Sequence, residues 1–128
     1  MSYYFAKTLS VGFDEAVQRT TEALQHEGFG IITEIDVKDI LKRKINADFR
    51  NYRILGACNP TLAHEALQIE DKVGKMLPCN IVVQDIGGAR TEVAAIDPVA
   101  SMQVIDNPRL KLAAERVQAK LKKVVDSL

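Results

Sequence analysis

The run Asn80-Ile81-Val82-Val83-Gln84-Asp85-Ile86, followed by Gly87-Gly88-Ala89-Arg90 and then Thr91-Glu92-Val93-Ala94-Ala95-Ile96, decides the fold. Two stretches rich in apolar and β-branched residues flank a Gly-Gly pair that tolerates the positive φ of a tight turn, which is the pattern of a β-hairpin. A hairpin makes two consecutive strands antiparallel. A doubly wound fold would put a helix between every strand and the next, so this stretch predicts an α+β class.

Working outward, Tyr3–Leu9 reads as a strand rich in aromatic residues. Phe13, Val17, Thr20 and Leu24 then form a stripe with Ala16 and Ala23 beside it, predicting a helix that opens near Gly12 and stops at Gly28. Phe29–Ile35 predicts a second strand, with Phe29, Ile31, Thr33 and Ile35 on one face and Ile32 and Glu34 on the other. Asp36 is placed to cap a helix whose apolar stripe is Val37, Ile40, Leu41 and Ile45. After a polar loop at Asn46–Asn51 comes a third strand, Tyr52–Cys58.

Asn59-Pro60 is a helix-start signature. The asparagine oxygen can accept a free amide of the first turn, and proline there lacks a proton that would have no partner. Leu62, Ala63, Ala66 and Leu67 predict the buried face of that helix, and a short helical piece at Val73–Leu77 leads to Pro78. Beyond the hairpin, Asp97-Pro98 and Asn107-Pro108 repeat the cap-then-proline pattern. Leu110, Ala113, Val117, Leu121, Val124 and Leu128 make a long closing stripe. The expected order is βαβαβααββα: one domain over residues 1–128, with about five strands in one sheet and helices mostly on one face.

Composition narrows the function. Of 128 residues, 47% are hydrophobic and 27% charged, enough for a core without disulfide or metal staples. Only 5% are aromatic and none is Trp, so aliphatic side chains must fill the interior. Lys plus Arg equals Asp plus Glu, 17 against 17, which lacks the basic surplus a nucleic-acid binder uses against phosphate. The short run Lys42-Arg43-Lys44 reads as a solvated helix face. Zero net charge gives little colloidal repulsion and permits self-association. Met1-Ser2-Tyr3-Tyr4-Phe5-Ala6-Lys7 is not a signal peptide, and no apolar run approaches the ~20 residues that span a membrane. The expectation is a cytoplasmic protein with no membrane partner, whose Cys58 and Cys79 are free thiols in a reducing compartment.

Those two cysteines are the candidates for chemistry. Cys58 stands just before a helix start, where partial positive charge favours thiolate, although free cysteine also packs as a small buried hydrophobe. Its flanks, Gly56-Ala57-Cys58-Asn59-Pro60, look like a turn where backbone comes close to something. Cys79 opens a strand in Pro78-Cys79-Asn80, and with 20 residues between them the pair is no C-x-x-C motif. The best conceivable metal set is Cys58, His64 and Cys79 with Glu34 or Asp36, but its spacing fits no zinc signature, so no metal and no cofactor are expected. His26 and His64 both fall off the apolar stripes of their helices. No G-x-S-x-G, Walker or dinucleotide fingerprint occurs; Gly28-Phe29-Gly30 runs into a strand, whereas a phosphate loop opens a helix.

Four segments together resemble a known family: Gly28-Phe29-Gly30 through Thr33-Glu34-Ile35-Asp36-Val37-Lys38, then Tyr52-Arg53-Ile54-Leu55-Gly56-Ala57-Cys58-Asn59-Pro60, then Leu77-Pro78-Cys79-Asn80, then Asp97-Pro98. They are similar to the prokaryotic domain of unknown function 302, over nearly the whole chain. The resemblance implies a TATA-binding-protein-like fold, a curved antiparallel sheet backed by helices, and homodimers. Likeness of fold does not license DNA binding. Lys75, in Gly74-Lys75-Met76-Leu77, stands where the family pattern leads one to expect an apolar residue, a change that bears on the rim of this region.

Two function classes remain open. One is a non-catalytic ligand-binding or assembly domain acting as a homodimer, with Glu34, Asp36, Cys58, Asn59, Pro60, His64, Cys79 and Asn80 as candidate binding residues. The other is a thiol-based redox or sulfur-transfer protein in which Cys58 is the nucleophile and Cys79 its resolving partner.

Overall fold

The protein's structure, a computed structural model, describes residues 2–128; Met1, part of the N-terminal stretch read above for a leader, lies outside them. Among the described residues the strands are β1 (Tyr4–Leu9), β2 (Gly30–Asp36), β3 (Tyr52–Cys58), β4 (Cys79–Gly87) and β5 (Arg90–Ile96). The helices are α1 (Phe13–His26), α2 (Val37–Ile45), α3 (Pro60–Ile69), α4 (Pro98–Met102) and α5 (Pro108–Ser127), with a 3-10 turn at Val73–Met76. The strands form one sheet in the order β1-β5-β4-β3-β2, with every neighbouring pair antiparallel. This is the α+β sheet expected. The order departs from expectation at the end, where Asp97-Pro98 opens a separate short helix. The Asp97 carboxylate accepts from the Val99 amide at 3.0 Å, and after a break Asn107 accepts from the Arg109 amide at 3.0 Å to start α5.

The β4–β5 hairpin closes on the pair Gly87–Arg90. Its central residues Gly88 and Ala89 have φ of +64° and +56°, the pair of positive angles that a type I′ turn requires. The turn is thus one residue further along than the Gly87-Gly88 dipeptide suggested.

Alternation along the strands gives the sheet two unlike faces. On one, Leu9, Leu55, Ala57, Cys79, Ile81, Val83, Val93 and Ala95 are buried against Ala16 and Leu24 of α1 and Leu121, Val124 and Val125 of α5. Each fully buried Leu, Ile or Val there contributes roughly 1.5–3 kcal/mol. The other face carries no helix over its centre. Register aligns Ala6, Ala94, Val82, Ile54 and Ile35 in a row across all five strands, each at least partly exposed.

Two expectations about the second strand and its helix are corrected. A β-bulge between Ile31 and Thr33 breaks the alternation of β2. Ile31 pairs with Ala57 and packs on the core with Phe29, whereas Thr33 pairs with Gly56 on the open face and Ile35 is 41% exposed. The four residues expected on one face are therefore split between two, and Glu34, opposite Leu55, does not belong to the open face. α2 has no buried residue, and Ile45 at the end of its apolar stripe is 69% exposed. It bridges two antiparallel neighbours and makes its main contacts with β3.

α5 ties the layers together. Its 20 residues extend about 30 Å at 1.5 Å per residue. Its C-terminal half packs on the sheet, while Leu110 and Ala114 belong to a second, smaller core with Ala66, Val73 and Met102.

Candidate functional site

The two cores do not merge completely, and an apolar cavity of about 310 Å³ occupies the seam. Phe29, Ala57 and Cys79 wall it from the main core; Ala66, Met102, Leu110 and Ala114 wall it from the smaller one. α3 causes the gap. Its main contacts are with α5 and the 3-10 turn, and Glu65 holds it to α5 through both carboxylate oxygens, 3.0 and 2.8 Å from Arg116 Nη1. Leu62, Ala63, Ala66 and Leu67 thus present the apolar face read from the sequence to a space between helix and sheet, where α5 adds Ala113 and Val117.

Small side chains make the room. Ala57 on β3, Ala63 and Ala66 on α3, and Ala113 and Ala114 on α5 all border the cavity, with Gly74 on the 3-10 turn. The space is an open groove rather than an enclosed void, since Ile32, Leu67 and Gly74 on its border are exposed, and its volume falls where ligand pockets begin, at about 300 Å³. A larger hollow of about 610 Å³ beside α4 and α5 mixes Val99, Met102 and Ile105 with the polar Gln103, Asp106, Asn107 and Lys111.

Local structure at the mouth follows from Asn59. Its Oδ1 accepts from the Leu62 amide at 3.2 Å, so it caps α3 with Pro60 in the first position, as the sequence predicted. That bond fixes the amide's orientation. Nδ2 is left facing Gly28, whose φ of +86° ends α1, and it donates to no partner among the described residues. Gly56 proves to lie within a strand rather than a turn, yet the close approach is real. A Cβ there would fall 1.9 Å from Thr33 Oγ1 and 2.7 Å from Pro78 Cγ.

Both cysteines border the cavity and both are free thiols. Cys58, the last residue of β3, is partly buried. Cys79, the first of β4, is 6% exposed and makes no hydrogen bond among the described residues. Burial, reinforced by the nearby Cys58, pushes the Cys79 thiol from 9.0 up to about 11. It therefore keeps its proton at neutral pH.

The remaining sequence candidates fall elsewhere. Glu34 and Asp36 lie 3.1 and 3.7 Å from the guanidinium of Arg53, which stacks 5.3 Å from the Phe13 ring; Asp36 also caps α2 by accepting from Asp39 at 3.0 Å. This cluster pins β2 to β3 away from the cavity. His64 is exposed on α3 and is not part of the lining, and Pro60 is exposed at the helix start. Asn80 is exposed on the open sheet face, beside Val82, Gln84 and Tyr52. Lys75 is exposed on the 3-10 turn between Gly74 and Leu77, which do reach the cavity. Among the described residues no cluster of three or more His, Cys, Asp or Glu could hold a metal ion, and no helix is long and apolar enough to cross a membrane. Sequence reading missed Phe29, Ile32, Met102 and Ala114 as wall residues. Phe29 and Ile32 stand as apolar strand positions in the sequence and Ala114 lies beside the closing helix's apolar stripe, whereas Met102 carried no signal.

Fold and site define an α+β domain with an antiparallel sheet, helices on one face and a thiol-bearing apolar cavity at the seam of two cores. Residues 5–128 match the family described as "Domain of unknown function DUF302", and the chain belongs to that family. It is similar to the crystal structure of an uncharacterized conserved DUF302 protein from Bacillus stearothermophilus, with 29% identity, 98% of each chain covered and a TM-score of 0.90. No curated protein matches the chain. The family carries no assigned activity, so function has to be argued from the site.

Proposed function

We propose that this protein is a cytoplasmic, non-catalytic binding domain that holds a small neutral apolar molecule in the seam cavity and works as a homodimer. The observation that carries the ligand reading is the wall itself. Apart from the two thiols, Asn59 is the one side chain with a polar group in the lining. No basic or acidic side chain borders the space, so a carboxylate, phosphate or ammonium would be desolvated there without a counter-charge, at a cost of several kcal/mol. A neutral apolar molecule gains by entering.

The test is an amide-shift titration with cyclohexanone as a neutral probe. Saturable shifts should appear at Ala63, Gly74 and Ala114, and Ala63→Phe, which fills the space from a partly exposed position, should weaken binding at least tenfold. Absence of shifts in the wild type, or equal binding by a folded Ala63→Phe variant, refutes the reading.

The homodimer rests on the uncovered sheet face. The row Ala6–Ala94–Val82–Ile54–Ile35, with Tyr4, Tyr52 and Ile96 nearby, offers an apolar strip, bordered by Asn80, Gln84 and Glu92, that a second copy can cover.

A second reading, thiol redox through Cys58 and Cys79, draws on register. Ala57 faces Cys79, which puts Cys58 one residue further along, at a Cα separation of about 6 Å from ordinary strand spacing. That lies inside the disulfide range. Two features weigh against it: regular alternation aims Cys58 and Cys79 to opposite faces, and the raised pKa of Cys79 makes it a poor attacking thiol.

A further inference from the structure

Register sets Glu92 of β5, Gln84 of β4 and Tyr52 of β3 side by side in one row of the open sheet face. Gln84 uses its amide twice. Its Oε1 accepts from Arg50 Nε at 3.0 Å, and its Nε2 donates to Glu92 Oε1 at 3.2 Å. The Arg50 guanidinium is held further by aromatic rings, 4.4 Å from the Phe49 centroid and 5.6 Å from that of Tyr52. A cation and an anion are thus fixed on opposite sides of a neutral residue, and among the described residues neither has an ion-pair partner. Anything that covers the apolar strip takes water from the partly buried Glu92, and a carboxylate covered without a counter-charge opposes the contact. The covering surface must therefore bring a cation to Glu92 and an anion to Arg50. This chain's own face does both: turned through half a circle about an axis along β4, it lays Arg50 over Glu92 and Glu92 over Arg50.

We propose that the second copy docks with the two sheets face to face and the two-fold axis along β4, so that Arg50 of each copy pairs with Glu92 of the other. This rests on the homodimer reading above and adds its register. In a two-fold contact whatever residue i does to residue j is repeated from j to i, so one kind of ion pair forms twice. The apolar row points to the same axis independently. About β4, Val82 meets Val82 of the second copy, Ala94 meets Ile54, and Ala6 meets Ile35, so that each small side chain faces a large one. An axis across the strands would instead set alanine on alanine and isoleucine on isoleucine, leaving gaps beside crowded points, and would put Glu92 opposite the row of Ile96 and Asn80 with no cation. Stacked sheets lie about 10 Å apart, a gap that an arginine and a glutamate reach across from opposite sides. Strands aligned along one axis also fit the small crossing angle of packed sheets. Charge of this kind selects register among the ways two apolar strips could meet.

The experiment is charge reversal read by sedimentation velocity across the micromolar range, with folding checked by urea midpoint. Arg50→Glu and Glu92→Lys should each raise the dimer dissociation constant about tenfold or more. Mixing the two single variants should give a heterodimer, because both contacts between unlike copies are then attractive, and the chain carrying both reversals should dimerise with itself. A pairing within one chain would be rescued in the double reversal but not in the mixture, and that result overturns the proposal. Arg50→Gln changes an exposed residue, so it keeps the test open should Glu92→Lys not fold. It should weaken the dimer about threefold or more and flatten its salt dependence. A dissociation constant unchanged in Arg50→Gln, or in the folded reversals, overturns this register and leaves the homodimer standing. A wild-type chain that stays monomeric overturns the homodimer reading itself.

Discussion

Raising the pH from 8 to 11 should destabilise this domain through the buried Cys79 thiol. In the unfolded chain that thiol loses its proton near 9.0, whereas in the folded protein burial and the neighbouring Cys58 hold it to about 11. Between those values the unfolded state binds fewer protons than the native state, so stability falls as pH rises. The contribution is fully present below pH 9 and gone above about 11. A gap of about two units at 1.36 kcal/mol each gives roughly 3 kcal/mol, a large share of a small domain's stability. The assay is urea unfolding at pH 8, 9, 10 and 11 under reducing conditions, for wild type and Cys79→Ala. The variant supplies the pH dependence that the two proteins share, which is subtracted. With the folded thiol only half ionised at pH 11, wild type should lose about 2 kcal/mol more than the variant across the range. Parallel curves would show that Cys79 is ordinarily solvated and that the cavity wall is wet.

Other perturbations test the frame around the site. Asn59→Ala should lose about 1 kcal/mol with α3's cap, read as a lower urea midpoint, while Asn59→Asp should retain most of it; equal losses would mean the cap contributes nothing. Gly56→Ala forces a methyl into Thr33 and Pro78 and should cost about 1–3 kcal/mol. Thr33→Ala in the same chain should recover part of that, and full tolerance of Gly56→Ala would contradict the close approach. Light scattering in the micromolar range should give a dimer mass, with Val82→Lys at the centre of the open face giving a folded monomer. A wild-type monomer would remove the homodimer proposal.

Much of the frame was legible because it is local. A cap bond from Asn59 to Leu62 or Asp36 to Asp39 spans three residues and a hairpin turn spans two, so residue types a few positions apart specify the caps and place the turn to within one residue. The apolar stripe of α3 was equally readable, since a 3.6-residue period says which side chains share a face. A period cannot say what that face meets. The sequence left β2 as a regular alternation, because a bulge at Ile31/Thr33 depends on where β3 places its hydrogen-bonding groups, some twenty residues later. That one inserted residue moved Thr33 and Ile35 to the open face and kept Phe29 at the cavity.

What the sequence by itself determined was the set of elements, their caps and turns, the hairpin that makes the fold α+β, and the region around Cys58 and Cys79. Tertiary structure alone decided that α3 leans toward α5, through Glu65 and Arg116, 51 positions apart, and so leaves a space under its apolar side. It also separated Glu34, Asp36, His64 and Asn80 from the two thiols that sequence had grouped with them. The physical reason is range. Caps, turns and periodicity are settled by neighbours within one turn of chain, whereas a cavity is the residue of volumes contributed by β3, α3, β4 and α5, whose spacing is fixed only when all of them pack at once.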